Sequence, residues 1–383
     1  MNKKMSSPAH PSSFVPASAT RIIRELAPEA ERLGRLHMRQ LSVICEQGWF
    51  NLYVPEQYGG LALSLPEGLR IEEGLAWVDG SAGWTVTLCS GANWFAGFLN
   101  PETAKKLFKD PFVCLAGSGR PSGIARRTGS GYTITGSWDW ATGAPHATAF
   151  TANCVIEEGG VPLKNDDGSS LVRSFVFLRE EVRVEQNWRV SGLIATASHR
   201  FGVQDLRVEE DRCFVISRDG AVLPQPIYQY PFLQLAETTL AVNSSGMAAR
   251  FIELGEPIIA GRAAYKNGGI GMKDGGGLSL RLAGEAKEKL QVLRRIFYDA
   301  IDSSWEVGLR IGKHDDGPEH SAWANLLGEV SSASRGLAAG ARQIVDELYP
   351  FCGLSAADPD AAINRVWRDL HTASQHPLLL QTV

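Results

Sequence analysis

The 383-residue sequence contains no CxxC pair, no block of basic residues, and no apolar run approaching the ~20 residues that a membrane-spanning helix needs. Its six cysteines, Cys45, Cys89, Cys114, Cys154, Cys213 and Cys352, are scattered, and none stands at zinc-site spacing from another ligand, so neither disulfides nor a structural metal is expected. Lysine and arginine number 38 against 42 aspartates and glutamates, and their even scatter excludes the footprint of a nucleic-acid or anionic-membrane binder. The opening MNKKMSSPAHPSSFVPASAT lacks the continuous apolar stretch of a secretory leader, which makes a cytoplasmic location the expectation. Glycine clusters such as AGSGRPSG at 116–123 do not follow the strand-to-helix order of a dinucleotide fingerprint, so no nicotinamide site is expected. One further absence raises a question. The helical-looking RVWRDLHTASQH, residues 365–376, carries His371 and His376 but no glutamate. Helix positions five apart diverge by roughly 140°, so the two imidazoles do not form a metal pair.

With 44% hydrophobic and 21% charged residues, the chain is an ordinary globular one, long enough for two or three domains. Residues 1–20, rich in Ser, Pro and Ala, read as a flexible tail. Residues 21–111 read as a helical domain: Ile22, Leu26, Leu33, Leu36, Leu41 and Ile44 recur at helical spacing, with an interruption predicted near Pro28. Residues 112–222 change texture to short runs such as YTITGSW, TAFTANCVI, SFVFLRE and GVQDLRVEE between turn residues, predicting an antiparallel β domain. From 223 to 383 helical periodicity returns, with Leu290, Leu293, Phe297, Ile301, Trp305 and Gly308 on one face, predicting a helical bundle. The insert KNGGIGMKDGGGLS, residues 266–279, reads as a loop between bundle helices.

In GSWDWATG, residues 136–143, Trp138 and Trp140 alternate with small polar residues and lead into Thr142 and Gly143. The pattern fits a strand with aromatics at period two. It also fits the wall of a flat aromatic ligand, where indole supplies stacking area and Thr142 a polar partner; flavin, with its ring system and its N5, is such a ligand.

The three-block order and several motifs together resemble the acyl-CoA dehydrogenase fold. GWFNLYVPEQYGG at 48–60 and GSWDWATG are similar to its helix-to-loop signature and flavin-lining strand. DGSAGWTV at 79–86, LIATASHRFGVQDLRVEEDRCF at 193–214 and RVWRDLHTASQH more specifically resemble the two-component flavin-dependent monooxygenases that share this fold. The resemblance covers roughly residues 21–380. It implies an N-terminal helical domain, a middle antiparallel β-barrel and a C-terminal four-helix bundle, assembled as a homotetramer.

The resemblance also implies an oxygenase component that takes reduced flavin, FMN or FAD, from a separate reductase. With O2 it would hydroxylate a small aromatic or electron-rich substrate through a flavin C4a-hydroperoxide. Thr142 is then placed at flavin N5, Trp138 and Trp140 at the ring wall, and Ser198 of ATASH near the flavin. Asn93 and Trp94 of SGANWFAG line the substrate pocket, and His376 orients or deprotonates the substrate or bonds the peroxide. For His376 the alternative is a helix-end cap or a satisfied buried imidazole. Arg368 and Asp369 are expected to hold their helix by ion pairing. ATASH carries Ala195 and Ala197 where the family has glycines, which restricts the backbone there. Two other readings stay open: an FAD-dependent acyl-CoA dehydrogenase with Glu237 as base, against which Glu237 reads as a solvated helix-face residue, and a non-catalytic flavin-binding homologue.

Overall fold

A computed structural model of the chain describes residues 8–268, 275–311 and 318–380. Among these residues the order is helices, strands, helices. The N-terminal block comprises α1 (Ala17–Leu33), α2 (Met38–Glu46), α3 (Leu65–Val78), α4 (Gly80–Asn93) and α5 (Pro101–Leu107). The sheet comprises β1 (Leu115–Thr128), β2 (Gly131–Ala141), β3 (Ala149–Glu158), β4 (Val161–Pro162), β5 (Val172–Leu178), β6 (Arg183–Glu185), β7 (His199–Glu209) and β8 (Cys213–Phe214). The bundle comprises α6 (Phe232–Gly268), α7 (Gly275–Gly308), α8 (Pro318–Cys352) and α9 (Ala362–Ala373). Residues 269–274, the centre of the expected glycine-rich loop, lie outside the described residues, and its flanks belong to α6 and α7.

α1 runs through Pro28, where an interruption was predicted, and breaks at Gly34 instead. Gly34 adopts the left-handed φ of 64° that glycine takes without strain, and its amide caps the carbonyls of Ala30 and Glu31. An interior proline costs about 3 kcal/mol. Burial of Ile23, Ala27 and Ala30 offsets it, and so does Arg24, which lies 4.0 Å from the Trp77 ring and donates to the Trp77 and Val78 carbonyls. Residues 8–20 are also not a loose tail. Pro11 and Val15 are buried beside α3, and the carbonyls of Pro8 and Ala9 accept hydrogen bonds from Arg294 of α7. Arg294 is itself fully buried, joined to Glu73 of α3 at 2.7 and 2.8 Å, while Tyr298 and Ser245 complete the carboxylate's shell.

α4 has no solvent face: twelve of its fourteen residues are buried. Asp79 ends α3 and begins α4 by accepting the Ala82 amide at 2.9 Å, which fixes the corner between them. In the bundle, α6 is central, packed against α3, α7, α8 and α9.

The strands follow the order β6-β7-β2-β1-β3-β5-β8, with β4 beside β3. Two details differ from an antiparallel barrel: β1 and β3 pair in parallel, and hydrogen bonding ends at β6 and β8. The sheet nevertheless curls. Flat strands three places apart would lie roughly 14 Å from one another. Yet Tyr132 and Trp138 of β2 meet Phe175 and Phe177 of β5 with ring centroids 5.0 and 5.7 Å apart. Because β3 returns on the far side of β1, residues 142–148 cross the end of β1, and Thr142 lies on that crossing.

Candidate active site

A cavity of about 240 Å³ lies between α4, the sheet and α6. α4 contributes Thr87, Leu88, Gly91 and Ala92, followed by Phe95; the sheet contributes Gly117–Gly119, Thr151–Asn153 and Phe214; α6 contributes Phe232, Leu235, Ala236, Thr239 and Leu240. Thr142 and the turn after α9, with His376 and Leu378, complete the lining. The wall is mostly apolar, and several of its polar groups are already engaged by protein. Thr87 accepts from Asn243 at 2.8 Å, and Asn153 accepts from Ser174 and donates to the Gly119 carbonyl.

Strand irregularity aims Thr142 into this space. Pairing of β2 with β7 slips between Trp138 and Ala141, and Trp140 takes a left-handed φ of 67°, a conformation rare for a bulky residue. The Thr142 hydroxyl lies 2.8 Å from that of Ser198, and Ser198 lies 2.8 Å from Thr196, which donates to the Leu193 carbonyl at 2.8 Å. The Cys89 thiol donates to the Thr142 carbonyl at 3.6 Å.

His376 begins the turn after α9, and its Nδ1 accepts a long, 3.4 Å bond from the Leu378 amide. That bond places the imidazole proton on Nε2, leaving an N–H donor. Burial lowers the pKa of His376 below the ordinary histidine value, so the ring is neutral at pH 7. Its role as a cap and its place on the cavity wall coexist. His371 faces elsewhere, bonded to the Trp367 carbonyl and to Asp346.

The structure brings Thr142 and His376 to one cavity and moves other expected residues out of it. Trp138 is a core residue of the sheet, stacked on Phe201, with its indole N–H donating to the Asn153 carbonyl. It is not a ring wall. Trp140 is half exposed, with the Arg120 guanidinium 4.3 Å from its ring, two residues before Thr142. Ser198 supports Thr142 and does not line the cavity. Asn93 is fully buried, tying α4 to Asn51, to the Val113 carbonyl and to the Leu115 amide, so it serves the fold and not a substrate. Trp94 donates to the Ile227 carbonyl and lines a neighbouring cavity of about 330 Å³, which shares Ile216 and Phe232 with the first. Glu237 points to α8, bonded to Arg335 at 2.6 Å and to Ser331; it is neither solvated nor at the cavity, which removes the expected dehydrogenase base. His199 accepts the Trp188 amide at 3.2 Å.

Arg368 holds α9 as expected, through Glu31 of α1 and the Ser191 carbonyl. Asp369 acts differently: its Oδ1 accepts the Leu193 amide at 2.5 Å, while Oδ2 has no hydrogen-bond partner among the described residues. Burial, with Asp79 and Glu31 adding, pushes its pKa up to about 8. Gly91, Thr239 and Thr196 escaped the sequence reading, although Gly91 and Thr196 lie inside its motifs SGANWFAG and ATASH.

The family model described as Acyl-CoA dehydrogenase, N-terminal domain, matches residues 15–109, and the C-terminal domain model matches residues 238–381. The chain is 28% identical over 368 residues to the flavin-dependent monooxygenase, oxygenase subunit HsaA, of Mycobacterium tuberculosis, across 92% of this chain and 88% of that protein. It is 26% identical over 360 residues to the indole-3-acetate monooxygenase of Acinetobacter baumannii, across 93% and 88%. Together the two models cover more than half of the chain, which belongs to the acyl-CoA dehydrogenase family. Solved structures share the fold of this acyl-CoA dehydrogenase family chain. The crystal structure of HsaA from M. tuberculosis superposes with a TM-score of 0.83 at 22% identity, covering 94% of this chain and 92% of that one. XiaF from Streptomyces sp., in complex with FADH2 and glycerol, scores 0.79 at 20% identity over 95% and 91%. TdsC from Paenibacillus sp. A11-2, with FMN and indole, scores 0.74 at 18% identity over 94% and 92%.

Proposed function

We propose that the protein is the oxygenase component of a two-component flavin-dependent monooxygenase. It takes reduced FMN or FAD from a separate flavin reductase and uses O2 to hydroxylate a small, uncharged aromatic substrate. The observation that carries this reading is the cavity wall: among the described residues its lining includes no carboxylate, lysine or arginine, and one titratable group, the neutral His376. Removing an α-proton from a thioester requires a positioned base, and Glu237 is turned away from the cavity. Oxygen insertion requires instead a dry, ring-sized space with few polar groups. The relatives named as monooxygenases, and those holding FADH2 or FMN, support the same chemistry.

The wall also fits a flavin ring. A methyl added at Gly91 or Gly119 would meet no atom of the described residues within 4 Å beyond its chain neighbours and, at Gly91, its own helix backbone, so backbone lies open to a flat ligand at both positions. Thr142 would face N5, Trp140 would flank that edge, and Ser198 would hold Thr142 in place. When bound, reduced flavin supplies the electrons that activate O2. His376 donates its Nε2–H to an oxygen atom of the substrate or cofactor, and Leu235, Leu240 and Phe232 keep bulk water from the reacting atoms.

The test is anaerobic loading with reduced FMN or FAD, followed by oxygenated buffer. Retarded release of hydrogen peroxide relative to free flavin is expected, as is hydroxylated product when a neutral aromatic is present. Peroxide release at the free-flavin rate with both cofactors refutes the proposal and leaves the non-catalytic alternative. A homotetramer in the cytoplasm completes the proposal, and light scattering that returns a monomer or dimer mass would refute the assembly.

A further inference from the structure

We infer that Ser198, Thr196 and Asp369 are positioning residues that fix the polarity of the Thr142 hydroxyl, and that this polarity selects reduced over oxidised flavin. The inference rests on the flavin reading of the site. Two oxygens 2.8 Å apart need one hydrogen between them. The Leu193 carbonyl has none, so Thr196 donates to it. Thr196 has then used its only hydroxyl hydrogen, and the hydrogen between Thr196 and Ser198 belongs to Ser198. By the same step, the hydrogen between Ser198 and Thr142 belongs to Thr142. No other assignment makes all three bonds. Thr142 Oγ1 therefore meets the cavity as an acceptor only.

The start of the chain is fixed from outside the site. Leu193 holds a left-handed φ of 53°, its amide bonded to Asp369 of α9 and its carbonyl also accepting the Trp188 indole N–H at 3.0 Å. All three hydroxyl residues, with Leu193 and Asp369, are buried. Reduced flavin carries a hydrogen on N5 and donates. Oxidised flavin presents a bare N5, and an acceptor facing an acceptor is repelled. The line from Asp369 to Thr142 thus favours the form that a reductase delivers and opposes the spent form.

Dissociation constants for oxidised and reduced FMN, and in parallel FAD, measured anaerobically by flavin fluorescence and absorbance, test this in wild type, Ser198→Ala, Thr196→Val and Thr196→Ser. Wild type is expected to prefer the reduced form by about tenfold or more, the weight of one hydrogen bond turned from favourable to unfavourable. Ser198→Ala and Thr196→Val leave Thr142 free to turn its hydrogen toward N5. They should lose most of that preference, chiefly by gaining affinity for the oxidised form, whereas Thr196→Ser keeps it. A preference within about twofold of wild type in both hydroxyl-less variants overturns the inference. So does equal binding of both forms by wild type, which leaves the oxygenase reading standing. Binding of neither form by wild type overturns the oxygenase reading and the relay together. Melting curves show which variants are folded, and either hydroxyl-less variant reads the same relay if the other does not fold.

Discussion

Among the described residues, His376 is the only titratable side chain lining the cavity, and its Nε2–H is the only side-chain N–H there besides the already bonded amide of Asn153. Replacing it by alanine should lower product formed per reduced flavin by about 10²-fold, the scale of a lost preorganised donor or proton-transfer group. Loss of the cap bond to Leu378 should cost about 1 kcal/mol. His376→Asn, which retains a short acceptor at the cap, separates the two effects: full stability with impaired product is the expected pattern. Undiminished product from folded His376→Ala would remove the residue from the chemistry. Because burial lowers its pKa, the neutral ring persists below the ordinary histidine range, and product yield should hold as pH falls through 6.5. Thr142 and His376 stood out in the sequence because each sits in a motif at a break in regular structure, where side chains are aimed individually. The burial of Trp138 did not, since period-two alternation shows that a strand has two faces without showing which one is the core. Asn93 and Trp94 were obscured by α4, which is buried all round and so carries no amphipathic phase. Glu237 reads as a surface residue until Arg335 and Ser331 of α8 are seen beside it.

Among elements, α4 supplies both a wall of the cavity and a place to fill it without disturbing the fold. Gly91 lines the cavity, and a Cβ added there meets no atom of the described residues within 4 Å outside its own helix backbone. Gly91→Leu should leave the melting temperature unchanged or raise it, since leucine improves a helix interior over glycine by roughly 0.8 kcal/mol. It should abolish flavin or substrate binding by occupying their space. Retained binding and product in Gly91→Leu would mean that the ligands lie elsewhere. The α3–α7 seam behaves in the opposite way. Arg294→Met strands the Glu73 carboxylate in the core and detaches the carbonyls of Pro8 and Ala9, so a loss of about 3–5 kcal/mol in denaturant unfolding is expected. The three-block order of elements was readable from hydrophobic period. The continuity of α1 through Pro28 and the parallel pairing of β1 with β3 were not, because both are decided by partners distant in sequence: Trp77 and Val78 for the former, the crossing of residues 142–148 for the latter.

For the whole molecule, Asp369 stands where the three blocks meet. It belongs to the bundle, bonds Leu193 before β7, lies against Gly80 of α4, and is flanked by Arg365 and Arg368, both of which reach Glu31 of α1. Its carboxyl titrates near 8 in the folded protein, raised by burial and then by Asp79 and Glu31, against roughly 4 when unfolded. Between those values the folded state holds a proton that the unfolded state has lost, so this group's contribution to stability falls as pH rises from about 4 to about 8. His146 acts with the opposite sign. Burial, with Arg35 adding, lowers its pKa to about 4, so its stabilising contribution is lost as pH falls from about 6.5 toward 4. The two windows overlap below 6.5, which makes the interval from pH 6.5 to 8 the place to isolate Asp369. Asp369→Asn keeps an oxygen for the Leu193 amide and has no charge to gain. Its melting temperature should exceed that of wild type at pH 8, with the gap narrowing steadily toward pH 6.5 and further toward pH 5. A gap that is constant across that range, or that widens in acid, would show that Asp369 enters the fold already ionised and that Arg365 and Arg368 neutralise it.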